Sequence, residues 1–280
     1  MTDRRALCVG INQFANLPMA SWLYGCVNDA KDMASLLRKS YGFGSRDVVT
    51  LTDDKATKAA IMARLNAIVD LAVAGKVKHI VFTYSSHGTQ VPDANGDELD
   101  RADEALVAYD LAPDGDAWDL DTVIVDDELH ALFARVPADV LVEAFLDTCH
   151  SGTGLKAMDI LQGRRPKFLP PPTPIGVDGV AEREVVQLGD KFFRRKRGIA
   201  VQEPVLFAAC KAAQTSSDAS FNGRSSGAFT YNLLKALKAK PDATRAELLT
   251  AVRAGLKADR FSQIPQLEAP SATKRRPLGH

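Results

Sequence analysis

The stretch HIVFTYSSHG (residues 79–88) decides the fold, because a continuous apolar run ends abruptly in a Ser-Ser-His-Gly cluster. A second stretch, VLVEAFLDTCHSG (residues 140–152), repeats this pattern and ends in a Cys-His pair. Runs that are almost entirely apolar are typical of strands buried on both faces of a parallel sheet. Since sites in such sheets lie beyond the carboxyl ends of the strands, both clusters are predicted at the same sheet edge.

Strand and helix patterns alternate along the rest of the chain. Further buried strands are predicted at residues 6–11, 48–51 and 205–209, and helices at 26–41, 57–74, 129–134, 227–238 and 244–256. Buried strands that alternate with amphipathic helices indicate an α/β fold. We therefore predict a mostly parallel sheet with helices on both faces.

The composition of the 280-residue chain excludes several classes of protein. A chain with 46% hydrophobic and 25% charged residues is globular, and 35 basic residues balance 35 acidic ones. This neutrality argues against a general nucleic-acid or membrane-surface binder. No apolar run reaches the roughly 18 residues of a transmembrane helix, and the N-terminus lacks a signal peptide. We expect a cytoplasmic protein with neither nucleic-acid nor membrane partners.

One of the four cysteines stands apart from the others. Cys8, Cys26, Cys149 and Cys210 form no CxxC pair, which excludes zinc-ribbon and thioredoxin-type sites. A lone free cysteine is usually a small buried apolar residue. Cys149, however, follows a strand end next to the predicted position of His87, whose imidazole could activate the thiol. The backbone N–H groups of Gly88 and Cys149 could then form an oxyanion hole.

Asp147 indicates what the site would bind. Asp147 and Cys149 lie two residues apart on one face of a strand, as do Ser85 and His87. A carboxylate beside a thiolate is unfavourable unless a cation binds between them, which favours a pocket for Lys or Arg. The alternative is that Asp147 only caps the following turn. The spacing supports both interpretations equally.

Two segments interrupt the alternation of strands and helices. Residues 93–128 contain 14 acidic residues and one Arg, and we interpret them as too polar for the core. Residues 163–203 are rich in proline and then basic, which predicts a flexible linker. The chain is thus divided into a large part (1–160) with the His and Cys, a linker (161–203), and a small part (204–280) that completes the same sheet.

The basic residues of the linker match the predicted acidic pocket. They are Arg164, Arg165, Lys167, Lys191, Arg194, Arg195, Lys196 and Arg197. A charge run is usually solvated, and it could also be a nucleic-acid or targeting patch. Because exposed flexible segments are preferred sites of proteolysis, we expect cleavage there, by the protein itself or by an upstream protease. Whether such a cut activates the protein stays open.

Several motifs resemble those of the metacaspases, in the caspase clan of cysteine peptidases. YSSHG (84–88) and DTCHSG (147–152) are similar to the catalytic His and Cys blocks of that family. Further similar blocks follow in the same order: ALCVGIN (6–12), LYGCVNDA (23–30), HGTQVPDANGDE (87–98), IVDDELH (124–130), ACKAAQTSSD (209–218) and SGAFTYNLL (226–234). DTCHSG differs from the Q-A-C-x-G signature of animal caspases, which favours the metacaspase or prokaryotic branch.

This resemblance implies a caspase-like three-layer sandwich around a six-stranded sheet. It implies an endopeptidase with Cys149 as nucleophile and His87 as its partner, requiring no cofactor for the chemistry. The pocket for the residue before the cleaved bond, the S1 pocket, would comprise Asp29, Asp147, Ser85 and Cys26. Protein or peptide substrates would be cut after Arg or Lys by a monomer. For Cys26, a purely buried role is at least as good an interpretation.

The resemblance also raises the question of calcium. Asp103, Asp126 and Asp127 match three calcium-ligand positions of the family, whereas the fourth falls on Lys156. A solvated acidic surface is the alternative, and the loop departs from the EF-hand pattern because Glu98 stands where that pattern needs glycine. Two other functions remain open: a catalytically silent, calcium-responsive adaptor, and a thiol-dependent transferase or amidase.

Overall fold

The computed structural model describes residues 2–92, 102–149, 163–173, 175, 204–211 and 214–280. The strands are β1 (Arg4–Gly10), β2 (Val48–Thr52), β3 (His79–Ser85), β4 (Gly88–Pro92), β5 (Ala102–Val107), β6 (Pro113–Asp114), β7 (Ala117–Trp118), β8 (Val123–Val125), β9 (Leu141–Asp147), β10 (Arg165–Pro166), β11 (Val205–Ala208), β12 (Ser217–Phe221), β13 (Arg224–Gly227) and β14 (Gln266–Glu268). The helices are α1 (Cys26–Ser40), α2 (Lys58–Val73), α3 (Asp126–Phe133), α4 (Ala228–Ala239), α5 (Arg245–Ala258) and α6 (Ser271–Lys274).

A six-stranded sheet in the order β14-β11-β9-β3-β1-β2 forms the centre of the fold. All neighbouring strands pair in parallel except β14, which is antiparallel to β11. The mostly parallel sheet predicted from the apolar runs is therefore confirmed. Because β3 and β9 are neighbours with Ser85 opposite Asp147, the segments that follow them begin at the same edge.

Helices pack on both faces of this sheet and create two apolar cores. In β1, Leu7 and Val9 contribute to one core, whereas Ala6 and Cys8 contribute to the other. This alternation follows from the two-residue period of a strand, and both faces must be apolar because both are covered. Helix α2 covers the first face, and α1, α4 and α5 cover the second. The result is a three-layer sandwich.

The predicted helix boundaries differ from the observed ones at the N-termini. Thr57 and Thr244, which we included in helices, are the caps that precede α2 and α5, and each accepts a backbone N–H from the first turn. Threonine is favoured at this non-helical position because its oxygen satisfies a free N–H group. Helix α3 begins three residues before the predicted start, at Asp126, where acidic residues complement the positive end of a helix.

Our interpretation of residues 93–128 as too polar for the core is wrong. Strands β5 and β8 come from this segment and form a second sheet with β4. Leu106, Val107, Val123 and Ile124 are fully buried there. We counted acidic residues over the whole segment, which includes polar turns as well as these short apolar strands. The count therefore concealed the contribution of the strands to the core. Residues 93–101 lie outside the described part of the chain.

A buried ionic cluster joins the sheet to the C-terminal helices. Arg245 is fully buried, and its Nη2 donates to Glu143 Oε1 at 2.6 Å. His79 Nε2 lies 2.8 Å from the other oxygen of Glu143, and Arg245 Nη1 also donates to the carbonyls of Arg276 and His280. Burial alone would raise the pKa of Glu143, but His79 and Arg245 outweigh it and hold that pKa below its ordinary value.

Glu143→Gln is expected to lower the free energy of unfolding at pH 7 by about 3 kcal/mol, because Arg245 would keep its charge in the interior without a counter-charge. Since the native pKa of Glu143 is depressed, its contribution is present above the unfolded value and is lost as the pH falls through the native one. Urea denaturation measures the change. Asp70→Asn, at an exposed ion pair with Arg135, is the control and should cost less than about 1 kcal/mol. Equal losses would contradict the prediction.

No helix in the described ranges has both the length and the apolar character that crossing a membrane requires.

Candidate active site

The thiol of Cys149 lies in a buried environment just beyond β9. Its Sγ is 3.3 Å from Cys210 Sγ, and the backbone N–H of Ser216 also points to it. The side chain is buried. Sequence reasoning identified Cys149 but missed both of these neighbours.

The imidazole of His87 is oriented by a backbone carbonyl. His87 Nε2 lies 2.7 Å from the carbonyl oxygen of Ser21. Because a carbonyl oxygen only accepts, Nε2 carries the proton and Nδ1 is the basic nitrogen of the neutral ring. Nδ1 is buried and has no hydrogen-bond partner among the described residues. Burial, together with the charges of Lys167 and Arg165, lowers the pKa of His87 to about 4.

One carbonyl oxygen connects the loops that carry the histidine and the cysteine. The backbone N–H groups of Gly88 and Cys149 donate to the oxygen of Lys167 at 3.0 and 3.3 Å. Gly88 has to lack a side chain here, because a Cβ would lie 2.1 Å from the carbonyl oxygen of Cys149. The residues after β3 and β9 therefore meet around a single acceptor. In the described part of the chain, no hydrogen bond joins the imidazole directly to the thiol.

The ammonium group of Lys167 fills a polar pocket beside this carbonyl. Its Nζ lies 3.1 Å from Asp147 Oδ1, 2.8 Å from Ser85 Oγ and 3.4 Å from Asp29 Oδ2. The side chain is 0% exposed, which a lysine tolerates only when its charge is paired. Burial alone would lower the pKa of Lys167, but the carboxylates of Asp147 and Asp29 hold it well above its ordinary value.

Residues of the C-terminal part hold both carboxylates in place. Thr230 donates its backbone N–H and hydroxyl to Asp147 Oδ2 at 3.0 and 2.7 Å, and Ser216 Oγ donates to Asp147 Oδ1 at 2.7 Å. Ser226 Oγ and the Gly227 N–H donate to Asp29. Asp147 thus contacts the first turn of α4 and a cation rather than only capping the turn that follows it.

The segments that contain these donors, 209–218 and 226–234, belong to the motifs that resemble the metacaspases, but the sequence alone predicts no role for any residue in them. Gly227 has to lack a side chain, since a Cβ there would lie 2.1 Å from Asp147 Oδ2. Sequence spacing does not encode such a contact, because it joins residues some 80 positions apart. Ser21 was missed for a different reason: it acts through its backbone oxygen, which any residue carries.

Cys26 and Asp29 lie in the first turn of α1 but have different surroundings. Both are buried, and burial raises the pKa of Asp29 to about 7 although Lys167 opposes this rise. Burial likewise raises the pKa of the Cys26 thiol well above its ordinary value, so this cysteine is a neutral residue. Asp29 contacts the Lys167 ammonium. Cys26 instead interacts with the side chain of Ser85. The purely buried interpretation of Cys26 fits these contacts.

The residues predicted to bind calcium lie on the second sheet and at the start of the helix that follows it. Asp103 is on β5, and Asp126 and Asp127 begin α3 next to it, because Ala105 pairs with Val125. Carboxylate oxygens suit calcium. However, the described ranges contain no group of three or more His, Cys, Asp or Glu residues arranged to hold a metal ion. Lys156, the fourth position, lies outside those ranges, and calcium binding stays a prediction.

The matches to known families extend over almost the whole chain. A family model described as the caspase domain matches residues 3–276. The chain belongs to the caspase domain family. Metacaspase-1 of Coccidioides immitis is 32% identical to this caspase domain over 94% of the chain and 61% of the relative, and Metacaspase-1A of Aspergillus fumigatus is 32% identical over 94% and 68%. The resemblance to metacaspases is confirmed, although the chain spans only 61% of the length of the first of these relatives.

Solved structures share the architecture of this caspase domain. Protein GSU0716 of Geobacter sulfurreducens has a TM-score of 0.66 at 24% identity, covering 98% of this chain and 97% of its own. Caspase-1 of Spodoptera frugiperda has a TM-score of 0.58 at 14% identity, covering 96% and 86%. At these identities the likeness concerns the fold alone. The predicted caspase-like sandwich is confirmed.

Proposed function

We propose that this caspase domain is a cysteine endopeptidase that cleaves after Lys or Arg. The proposal is carried by the position of Lys167, whose ammonium group lies between Asp147 and Asp29 while its carbonyl oxygen accepts two backbone N–H groups. A substrate residue bound in the same way would present its carbonyl carbon next to Cys149. Recognition of a cation and polarisation of the adjacent carbonyl would then occur together.

The proposed chemistry uses the groups around that carbonyl. The Cys149 sulfur attacks the carbonyl carbon, and the N–H groups of Gly88 and Cys149 stabilise the negative charge that develops on the oxygen. His87 takes the thiol proton on Nδ1, since Ser21 holds Nε2, and then donates it to the leaving amine. Water hydrolyses the thioester and regenerates the thiol. This sequence of steps requires no cofactor.

Selectivity in the proposed S1 pocket comes from charge. Asp29, Asp147 and Ser85 supply acceptors around one position, and the planar guanidinium of Arg can contact two carboxylates at once. A neutral residue would leave both carboxylates buried without a counter-charge, which is strongly unfavourable. Cys26 contributes at most to the wall of the pocket.

Hydrolysis of paired fluorogenic peptides tests the proposal. Peptides that end in Arg are expected to have a kcat/KM at least about 100-fold higher than peptides that end in citrulline, because citrulline keeps the shape of Arg without its charge. A peptide ending in Asp should not be cleaved at a measurable rate. Similar values for Arg and citrulline would contradict the assignment of the pocket, and absence of turnover on every peptide would favour the adaptor alternative.

Further parts of the functional prediction are also proposed. Calcium regulation through Asp103, Asp126 and Asp127, a monomeric state, a cytoplasmic location and an upstream activating protease follow from the sequence resemblance and composition. We also propose the division into a large part, a linker and a small part.

A further inference from the structure

The side chain of Gln263, in the loop between α5 and β14, is buried and 4% exposed. Its oxygen accepts the backbone N–H of Ser217 at 3.1 Å. Its nitrogen donates to the carbonyl of Ala209 at 3.0 Å and to Ser216 Oγ at 3.3 Å. An amide group supplies both the acceptor and the two donors that these contacts need. Gln263 therefore connects the end of β11 with the start of β12.

A second glutamine joins the same two loops from the other side. Gln214 Oε1 accepts the backbone N–H of Ile264 at 2.9 Å, and Gln214 Nε2 donates to the carbonyl of Ser262 at 2.8 Å. Residues 214–217 are thus held against residues 262–264 by side chains from both loops. Because most of these hydrogen bonds end on backbone groups, they restrain the path of the backbone as well as the side chains.

Ser216 contacts two groups on which the proposed reaction depends. Its backbone N–H points to Cys149 Sγ, and its hydroxyl donates to Asp147 Oδ1 at 2.7 Å. The direction of this N–H depends on the backbone torsion angles around Ser216. Gln263 restrains them, since it holds both the Ser216 hydroxyl and the next N–H along the chain. A donor directed at the sulfur favours the thiolate, because a hydrogen bond to an ionised acceptor is stronger than one to a neutral acceptor.

We propose that Gln263 is a positioning residue for the reaction: it holds residues 216 and 217 so that the Ser216 N–H stays directed at the Cys149 sulfur. This inference rests on the proposed function and extends it. The N–H groups of Gly88 and Cys149 act on the carbonyl oxygen of the substrate, whereas the N–H of Ser216 acts on the nucleophile. Through the Ser216 hydroxyl, the same glutamine also supports a carboxylate of the S1 pocket.

Other titratable groups also lie around the Cys149 thiol and contribute to its ionisation. They come from the ends of β11, β9 and β3, from strand β5 and from the segment that supplies the acceptor of the Cys149 N–H: Cys210, Asp147, His87, Glu104 and Lys167. The three hydrogen bonds of the Gln263 side chain go to Ala209, Ser216 and Ser217. A substitution of Gln263 therefore keeps all of these groups, and a difference from wild type reports the Ser216 N–H.

Alkylation of Cys149 as a function of pH tests the inference. Iodoacetamide reacts with the thiolate, and mass spectrometry distinguishes modified Cys149 from modified Cys210. Gln263→Met keeps the approximate size of the side chain but removes its hydrogen bonds. It should raise the pH of half-maximal alkylation rate by about one unit. Below that pH the rate should be about tenfold lower than in wild type, and at high pH the two rates should converge, which a general loss of structure would not produce.

Alkylation is the better measurement because hydrolysis of Arg-ended peptides also depends on the ionisation of Asp29. Gln266→Met is the matched control, since Gln266 donates to the carbonyls of Ile264 and Pro265 in its own loop. This variant should keep the pH profile of wild type. If Gln263→Met unfolds at a lower urea concentration than wild type, Gln263→Asn provides a milder comparison. It keeps the amide on a shorter side chain and should shift the profile in the same direction.

Ser216→Ala separates the two contacts of Ser216. It keeps the backbone N–H and removes the hydroxyl, so its alkylation profile should stay close to that of wild type while its ratio of Arg to citrulline hydrolysis falls. Equal profiles for wild type, Gln263→Met and Gln263→Asn, in proteins that all hydrolyse Arg-ended peptides, would overturn this inference and leave the proposed function standing. A shifted profile in a chain whose wild type hydrolyses no peptide would retain the effect of Gln263 on the thiol and overturn the proposed function.

Discussion

Cys149→Ala is expected to reduce hydrolysis of Arg-ended peptides by at least about 10³-fold, to the background rate. The reason is that no acyl-enzyme can form without the sulfur, while the backbone N–H groups and the pocket alone do not supply a nucleophile. The measurement is kcat/KM on a fluorogenic peptide, made on protein whose urea unfolding midpoint matches wild type.

Cys210→Ala is the matched control for this substitution. Cys210 Sγ lies 3.3 Å from Cys149 Sγ, so the two thiols share one environment. The contact with Cys149 and burial raise the pKa of Cys210 well above its ordinary value, which keeps it a neutral and weak nucleophile. Cys210→Ala should therefore keep activity within about tenfold of wild type. If Cys149→Ala were active and Cys210→Ala inactive, Cys210 would be the nucleophile instead.

An affinity label separates the nucleophile from a thiol that matters only for structure. A peptidyl Arg chloromethylketone should add once to the wild type, at Cys149, and not to Cys149→Ala. Cys8 and Cys26 are both buried. Modification of either thiol in the folded protein would contradict this burial.

The central sheet could be predicted from the sequence because its strands carry their own signal. The strands of residues 79–85 and 141–147 are apolar throughout and end in unusual polar clusters, so both their burial and their direction followed from pattern alone. The second sheet could not be predicted in this way. Its strands β5 and β8 are short, and the acidic residues around them dominate any average over the segment.

His87, Cys149 and the carboxylate of Asp147 could be singled out from the sequence because each lies within two residues of a strand end. The partners of the carboxylates were not, since Ser226 lies 197 residues from Asp29 and reaches it only when α1 and β13 meet. Lys167 was placed in a linker because proline and basic residues surround it. The composition averages over the whole segment and does not show where one side chain lies. Lys167 is buried because Asp29, Ser85 and Asp147, which are far apart in the sequence, form a pocket around its ammonium group.

Asp147→Asn is expected to lower kcat/KM on Arg-ended peptides by about 100-fold. Asp147 lies 3.1 Å from the cation in the pocket, and the substitution removes its charge while keeping its size. The decisive readout is the ratio of Arg to citrulline hydrolysis, which should collapse because only the charged substrate loses a partner. Asp47→Asn, at another buried aspartate paired with Arg5, is the control. It should affect stability but leave that ratio unchanged, and the same collapse in both variants would indicate a general loss of structure.

Asp29→Asn distinguishes the roles of the two carboxylates through pH. Burial raises the pKa of Asp29 to about 7, so this residue is largely neutral at pH 6 and largely charged at pH 8. Replacing it with a neutral amide should therefore change kcat/KM little at pH 6 and progressively more towards pH 8. The wild type should correspondingly bind Arg-ended peptides more weakly as the pH falls through 7. An effect of Asp29→Asn that is constant from pH 6 to pH 8 would mean that Asp29 positions Ser85 and Gly227 and does not attract the substrate by its charge.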